Sequence, residues 1–302
     1  MSSISLDATI GRQAMINPDN SKVITPISSA AHGSTLILLL PGLGGNSSQW
    51  EPVLRQLRDV SADLAYGAPL LPHPAFDGRA PTVTELARAF AGELRQEKRS
   101  DVVLVAHSVG TFVALDIARM LPDVVRQVIV INGGLTSVAK FLDRPIRELV
   151  KRPRTCLSAL RLFALVSTPT PAALRRAIIK RERVSRAVLG GLVSNAILGS
   201  EDRRRSLMDN SGTPEVLRVL WINRHHWREF CAYASQIESE VVFLAGDQDP
   251  MSGEQDTAEM AGLLPNARIR LLHGVGHAAP LETAEAVAEA IRESVIIPQH
   301  ES

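Results

Sequence analysis

DVVLVAHSVG, Asp101 to Gly110, joins a short apolar run directly to a turn built of small residues. Val102 to Ala106 are apolar without alternation, so the run suits a strand buried on both faces of a parallel sheet. Thr111 to Met120 then carry a helical pattern. Ser108 therefore falls in a tight strand-to-helix turn, raised above the edge of the sheet. Such a turn brings backbone close to backbone, and Ala106 and Gly110 are small enough to allow it. The Val109 N–H and the start of the following helix face the same space, where they can hold an oxyanion. A serine that merely caps a packing helix is the competing reading. The position directly after VVLV favours a nucleophile.

The pattern repeats on either side. Thr35 to Leu40 (TLILLL), Val125 to Ile131 and Glu240 to Ala245 (EVVFLA) are further apolar strands, and Arg268 to Leu272 is the last one. Ala62 to Tyr66 reads as a short strand. Helices are predicted over Trp50–Leu57, from a Thr82/Glu85 capping box to Gln96, over Glu254–Leu264 and over Glu282–Val295. Strands alternating with helices predict a mostly parallel sheet covered by helices on both faces. The alternation fails between Leu135 and Ser235, where short helices are predicted near Ile146–Val150, Leu157–Leu165, Ala172–Ile179, Val184–Leu198 and Pro214–Tyr233. The expected organisation is an N-terminal arm or edge strand over 1–34, a core in two parts, 35–134 and 236–302, and an inserted helical unit over 135–235.

Charge follows the same division. The chain has 302 residues and a formal net charge of +1. Ser137 to Ser235 holds 19 Lys and Arg against 8 Asp and Glu, and the remainder holds 14 against 24. A basic insert invites two readings. Arginines there can attract a substrate carrying a carboxylate or another anionic group. Alternatively, short helices simply need solvated faces, and the Arg203-Arg204-Arg205 run is expected to be one. The two cysteines, Cys156 and Cys231, make no disulfide framework and are expected to be buried thiols. Met1 to Asn20 lack a signal-peptide pattern, and no 18-residue apolar stretch occurs, so a cytoplasmic location without a membrane span is expected. Aromatic residues are 4% of the chain and interleave with no basic stripe, which argues against nucleic acid.

Two further residues complete a chemistry for Ser108. His277 lies in LHGVGH, a glycine-rich loop beyond the last strand, from which an imidazole can reach across the sheet edge. It would take the serine proton and return it to a leaving group. His273 competes, but it stands at the strand end before the flexible glycines and reads as structural. Asp249 follows the Glu240–Ala245 strand and can fix the His277 tautomer. Asp247 is its rival. Asp249 is favoured because it lies further from the strand, before Pro250.

The chain resembles the α/β-hydrolase superfamily over nearly all of residues 35–296. The resemblance is carried by LLLPGLGGNSSQW, VAHSVG, LAGDQDP and GVGHAAPLE, and by the order nucleophile, acid, base. It implies the α/β-hydrolase fold with residues 135–235 as a helical cap, and a catalytic Ser108, Asp249 and His277. It also implies an oxyanion hole from the backbone N–H groups of Leu43 and Val109. Two departures stand out. Ala106 replaces the first glycine of G-x-S-x-G, and Pro41 stands where relatives commonly place the His of a His-Gly-x-Gly loop. Ser108 excludes the relatives that use an aspartate nucleophile.

The implied activity is hydrolysis of a carboxylic ester, thioester or lactone on a small-molecule substrate. Carbon–carbon bond hydrolysis beside a carbonyl is the alternative, and a non-catalytic ligand receptor or scaffold on the same fold is a third class. Trp50, Phe163, Trp221 and His225 are candidate pocket-lining residues. WINRHHW (221–227) is expected to be one amphipathic helix, whose adjacent histidines diverge too far to share a metal. No cofactor and no metal site is expected. The sequence leaves the oligomeric state open.

Overall fold

A computed structural model describes residues 22–29, 35–42, 47–133, 150, 171–189, 195–209, 215–249 and 251–296. In chain order the elements are β1 (Ile24–Ser28), β2 (Thr35–Leu40), α1 (Glu51–Gln56), β3 (Asp63–Gly67), α2 (Val83–Gln96), β4 (Asp101–His107), α3 (Gly110–Met120) and β5 (Val125–Ile131). Short helices follow: α4 (Ala172–Lys180), α5 (Glu182–Leu189), α6 (Asn195–Gly199), α7 (Glu201–Asp209), α8 (Glu215–Ile222) and α9 (His226–Tyr233). The chain then returns to the sheet with β6 (Glu240–Gly246), α10 (Glu254–Ala261), β7 (Ala267–Leu272), α11 (Ala279–Glu282) and α12 (Ala284–Ile296).

The seven strands lie in the order β1-β3-β2-β4-β5-β6-β7. All neighbours are parallel except β1, which pairs antiparallel with β3 at the edge. The strand order explains the sequence pattern. Leu36, Leu38 and Leu40 of β2 enter one core cluster and Ile37 and Leu39 the other. Val102, Leu104 and Ala106 of β4 divide from Val103 and Val105 in the same way. Both faces of a central strand are thus buried, and no polar alternation survives. The edge strand β7 is half open, with Ile269 exposed. One cluster is covered by α2, α3, α9 and α10, the other by α1 and α12. This is the α/β-hydrolase architecture, a mostly parallel sheet with an inserted helical cap.

The cap has its own small core of Ile178, Ile179, Leu198 and Met208. Arg204 corrects the expectation that the arginine run is a solvated face. It is 4% exposed and donates from Nε to the Ile179 carbonyl at 2.8 Å and from Nη1 to the Leu198 carbonyl. It supplies donors to carbonyls that α4 and α6 cannot satisfy at their C-terminal ends. Its neighbour Arg205 is exposed and pairs with Glu201. Ile197 of α6 packs on Ala278 and Leu281, so the cap rests on the segment that follows His277.

Several predicted boundaries move. The capping box at Thr82 and Glu85 is present, and α2 ends at Gln96. The last helix, predicted over Glu282–Val295, runs over Ala284–Ile296, and the short α11 precedes it across Thr283. Within the predicted 184–198 helix, α5 runs to Leu189 and α6 begins at Asn195, and residues 190–194 lie outside the described residues. WINRHHW is not one helix. Asn223 donates to the Val219 carbonyl at 2.9 Å, closing α8, while its Oδ1 accepts the Val83 N–H at 2.8 Å at the start of α2. The Cys231 thiol is exposed and not buried. Phe163, Cys156 and the predicted helices 146–150 and 157–165, except for residue 150, lie outside the described residues. No helix among the described residues is long and apolar enough to cross a membrane.

Candidate active site

The strand order reverses between β2 and β4, the point beyond whose carboxyl ends open α/β sheets generally take their ligands. Ser108 follows β4 at that point. Its N–H donates to the Ile131 carbonyl at 3.1 Å, continuing the β4–β5 ladder, and its φ of 54° then turns the chain into α3. Such a conformation costs a non-glycine residue roughly 1–3 kcal/mol. The surrounding packing enforces it. A Cβ on Gly110 would stand 2.5 Å from the Pro41 carbonyl oxygen, so only glycine lets the β2 loop and the start of α3 meet. We predict that Gly110→Ala lowers stability by about 1–3 kcal/mol through overpacking, and lowers turnover as well. Thermal melting and ester hydrolysis check both, and an unchanged melting point would contradict the contact.

The three predicted residues come together. Ser108 Oγ lies 3.0 Å from His277 Nε2, and His277 Nδ1 lies 2.8 Å from Asp249 Oδ2. The Asp249 carboxylate is an acceptor, so Nδ1 carries the proton and Nε2 is free to accept the serine hydrogen. Asp249 is 5% exposed, and its Oδ1 accepts the Met251 N–H at 2.8 Å, which fixes its orientation. The rival pair is separate. Asp247 accepts from His273 Nδ1 at 3.1 Å and from the Gly274 N–H at 2.8 Å, so it shapes the base loop from the surface.

A second ring of polar groups holds the triad's backbone, and nothing in the motif reading singled it out. Glu282 accepts the N–H groups on both sides of His277, from Gly276 at 2.7 Å and from Ala278 at 3.0 Å. Asn132 Nδ2 donates to the Gly276 carbonyl at 2.6 Å and to the His277 carbonyl at 3.1 Å. His107 Nε2 donates to the same His277 carbonyl at 2.8 Å. Burial pushes the His107 pKa down to about 3, with the nearby His277 ring adding to the effect, so His107 is neutral. Its Nε2–H tautomer follows from the carbonyl it faces. The available signals were a polar Asn ending a buried strand and a Glu five residues beyond His277.

Val109, 6% exposed, is the residue from which α3 starts, where the first N–H groups have no intrahelical partner. Leu43 lies outside the described residues. Trp50 is fully buried in a core cluster. Trp221 is 62% exposed, with the Arg224 guanidinium 4.4 Å from its ring centre, and His225 is exposed. The buried histidine of that segment is His226, whose ring lies 5.1 Å from Phe112 of α3. Among the described residues no group of His, Cys, Asp and Glu could hold a metal ion.

Comparison with known proteins agrees with the geometry. The profile of the family described as "Alpha/beta hydrolase family" matches residues 37–290. RutD of Pseudomonas savastanoi pv. phaseolicola, named for a proposed carbamate hydrolase activity, is 24% identical over 252 residues, 80% of this chain and 86% of that protein. Among solved structures, Est816, described as an N-acyl homoserine lactone degrading enzyme, matches with a TM-score of 0.60 and 18% identity over 89% of this chain and 96% of its own. A thermophilic esterase from Thermogutta terrifontis matches at 0.58 and 16%, over 89% and 92%.

Proposed function

The chain belongs to the alpha/beta hydrolase family, and from that premise we propose that it hydrolyses a small carboxylic ester, thioester or lactone through an acyl-Ser108 intermediate. The observation that carries this reading is the continuous hydrogen-bonded line from Ser108 through His277 to Asp249. It makes the chain a serine-hydrolase-type enzyme, and the proposal concerns what that triad attacks.

His277 Nε2 takes the proton as Ser108 Oγ adds to the substrate carbonyl. The negative charge that forms is held by the N–H groups of Val109 and Leu43, the proposed oxyanion hole. His277 then protonates the leaving oxygen or sulfur. A water, deprotonated by His277, attacks the acyl carbon; the bond from that carbon to Ser108 Oγ then breaks, His277 returns the proton to Oγ, and the acid leaves. Asp249 stays ionised and stabilises the imidazolium in each half-reaction. The lactone and ester activities named for Est816 and the Thermogutta esterase support this substrate class. Turnover of aryl esters graded by acyl length tests it against a conjugated diketone acid as the carbon–carbon substrate. Cleavage of the diketone acid alone would overturn it.

The cap adds a preference for anionic substrates to the proposal. Helices α4 and α5, with Arg181 between them, carry Arg175, Arg176, Lys180, Arg181, Arg183 and Arg186 against Glu182 alone. A field of one sign near a cleft raises the local concentration of the opposite ion. We predict that kcat/KM for a carboxylate-bearing ester exceeds that for a neutral ester of equal size at low salt. The advantage should fade as the Debye length shrinks from about 30 Å at 0.01 M to about 8 Å at 0.15 M. Equal responses of the two esters to salt would remove the cap charge from substrate capture.

A further inference from the structure

The acid and the base of the triad stand on different loops. Asp249 follows β6 and His277 follows β7, so the 2.8 Å contact between them depends on the register of two loops. Asn132 touches both. Its Oδ1 accepts the Gly246 N–H at 2.7 Å, at the root of the acid loop, while its Nδ2 donates to the carbonyls of Gly276 and His277 in the base loop. The residue is fully buried, and its own N–H donates to the Leu244 carbonyl at 2.9 Å. It then leaves β5 with a φ of 45°, a left-handed conformation that asparagine tolerates better than most side chains. A strained, buried residue whose amide is bonded on both atoms, one to each loop, is an arrangement that packing alone does not require.

We propose that Asn132 is a positioning residue that locks the acid loop and the base loop in the register the triad needs. The proposal rests on the triad reading of Ser108, His277 and Asp249. Only an amide can make this link. A carboxylate could keep the Gly246 contact but would set an oxygen against two carbonyl oxygens. An aliphatic side chain could make neither bond. His107 and Glu282 hold the His277 backbone alone, and neither has a hydrogen bond to the acid loop among those described.

Two variants test the link. Asn132→Gly keeps the left-handed backbone without the amide, and Asn132→Asp keeps an acceptor for Gly246 without the donor. Displacing a catalytic group by a fraction of an ångström to 1 Å can cost up to about 100-fold, so both variants should lose about 10- to 100-fold in kcat with KM within about threefold. The deciding measurement is the same substitution in an Asp249→Asn background. Residues that act through one another are not additive, so Asn132→Gly should there cost less than about threefold more. A general loss of fold would instead multiply the two effects. A downfield proton resonance of His277 Nδ1–H is expected of the native protein from its 2.8 Å contact with Asp249, and it should broaden or vanish in Asn132→Gly. Near-native kcat in both variants, or losses that multiply, overturns the proposal. Were the native protein inactive on every ester, the substrate reading would fail. The proton resonance alone would then decide, and its persistence unchanged in both variants overturns the link.

Discussion

Ser108→Ala is expected to remove ester hydrolysis, by about 10⁶-fold in kcat if the triad acts as a unit, while the protein stays folded. Ser108 Oγ makes its hydrogen bond to His277 and bears on no core contact that alanine would lose. Alanine keeps the Cβ that the elbow already accommodates, although a φ of 54° suits it no better than serine. Residual catalysis of about 10³–10⁴ over water should remain from oxyanion donors and binding. Single-turnover kinetics and thermal melting check the two halves of the statement. Turnover near the native rate would remove Ser108 from the mechanism.

Asp249→Asn is expected to cost about 10⁴-fold in kcat with little change in KM. The amide can point its NH₂ at His277 Nδ1, which then becomes the acceptor and puts the proton on Nε2, where it faces Ser108 and blocks proton removal. The same substitution at Asp247 should leave kcat within a few-fold of native, because its partners are His273 and the Gly274 N–H at the surface. A comparable loss at both positions would show that the base loop as a whole, and not the acid, had been disturbed.

The contrast between these aspartates shows what could be read without a structure. β2, β4, β5 and β6 announce themselves as apolar runs because both faces of each are covered, and each triad residue follows a strand, Ser108 at once and Asp249 and His277 after short loops. Distance from the strand end and the proline at 250 sufficed to favour Asp249 over Asp247. The residues that hold the triad were harder to see. Asn132, Glu282 and His107 bind mostly backbone atoms of loops that only the folded sheet brings near, so no spacing in the chain encodes their partners. Asn223 and Arg204 escaped for the same reason. One ends a helix by reaching the start of α2, and the other turns a charge inward onto two carbonyls, where composition suggested solvent. In WINRHHW the buried side chain is His226, with Trp221 outside, and Phe230 further along α9 is buried with it.

The acyl-enzyme mechanism requires that Ser108 be the one serine raised to high nucleophilicity. Treatment with a fluorophosphonate, followed by intact-mass and peptide mass spectrometry, measures this directly. The account predicts a single adduct, carried by the peptide containing Ser108, absent in Ser108→Ala and formed far more slowly in Asp249→Asn. No adduct on the folded native protein, or an adduct on a different serine that persists in Ser108→Ala, would contradict it.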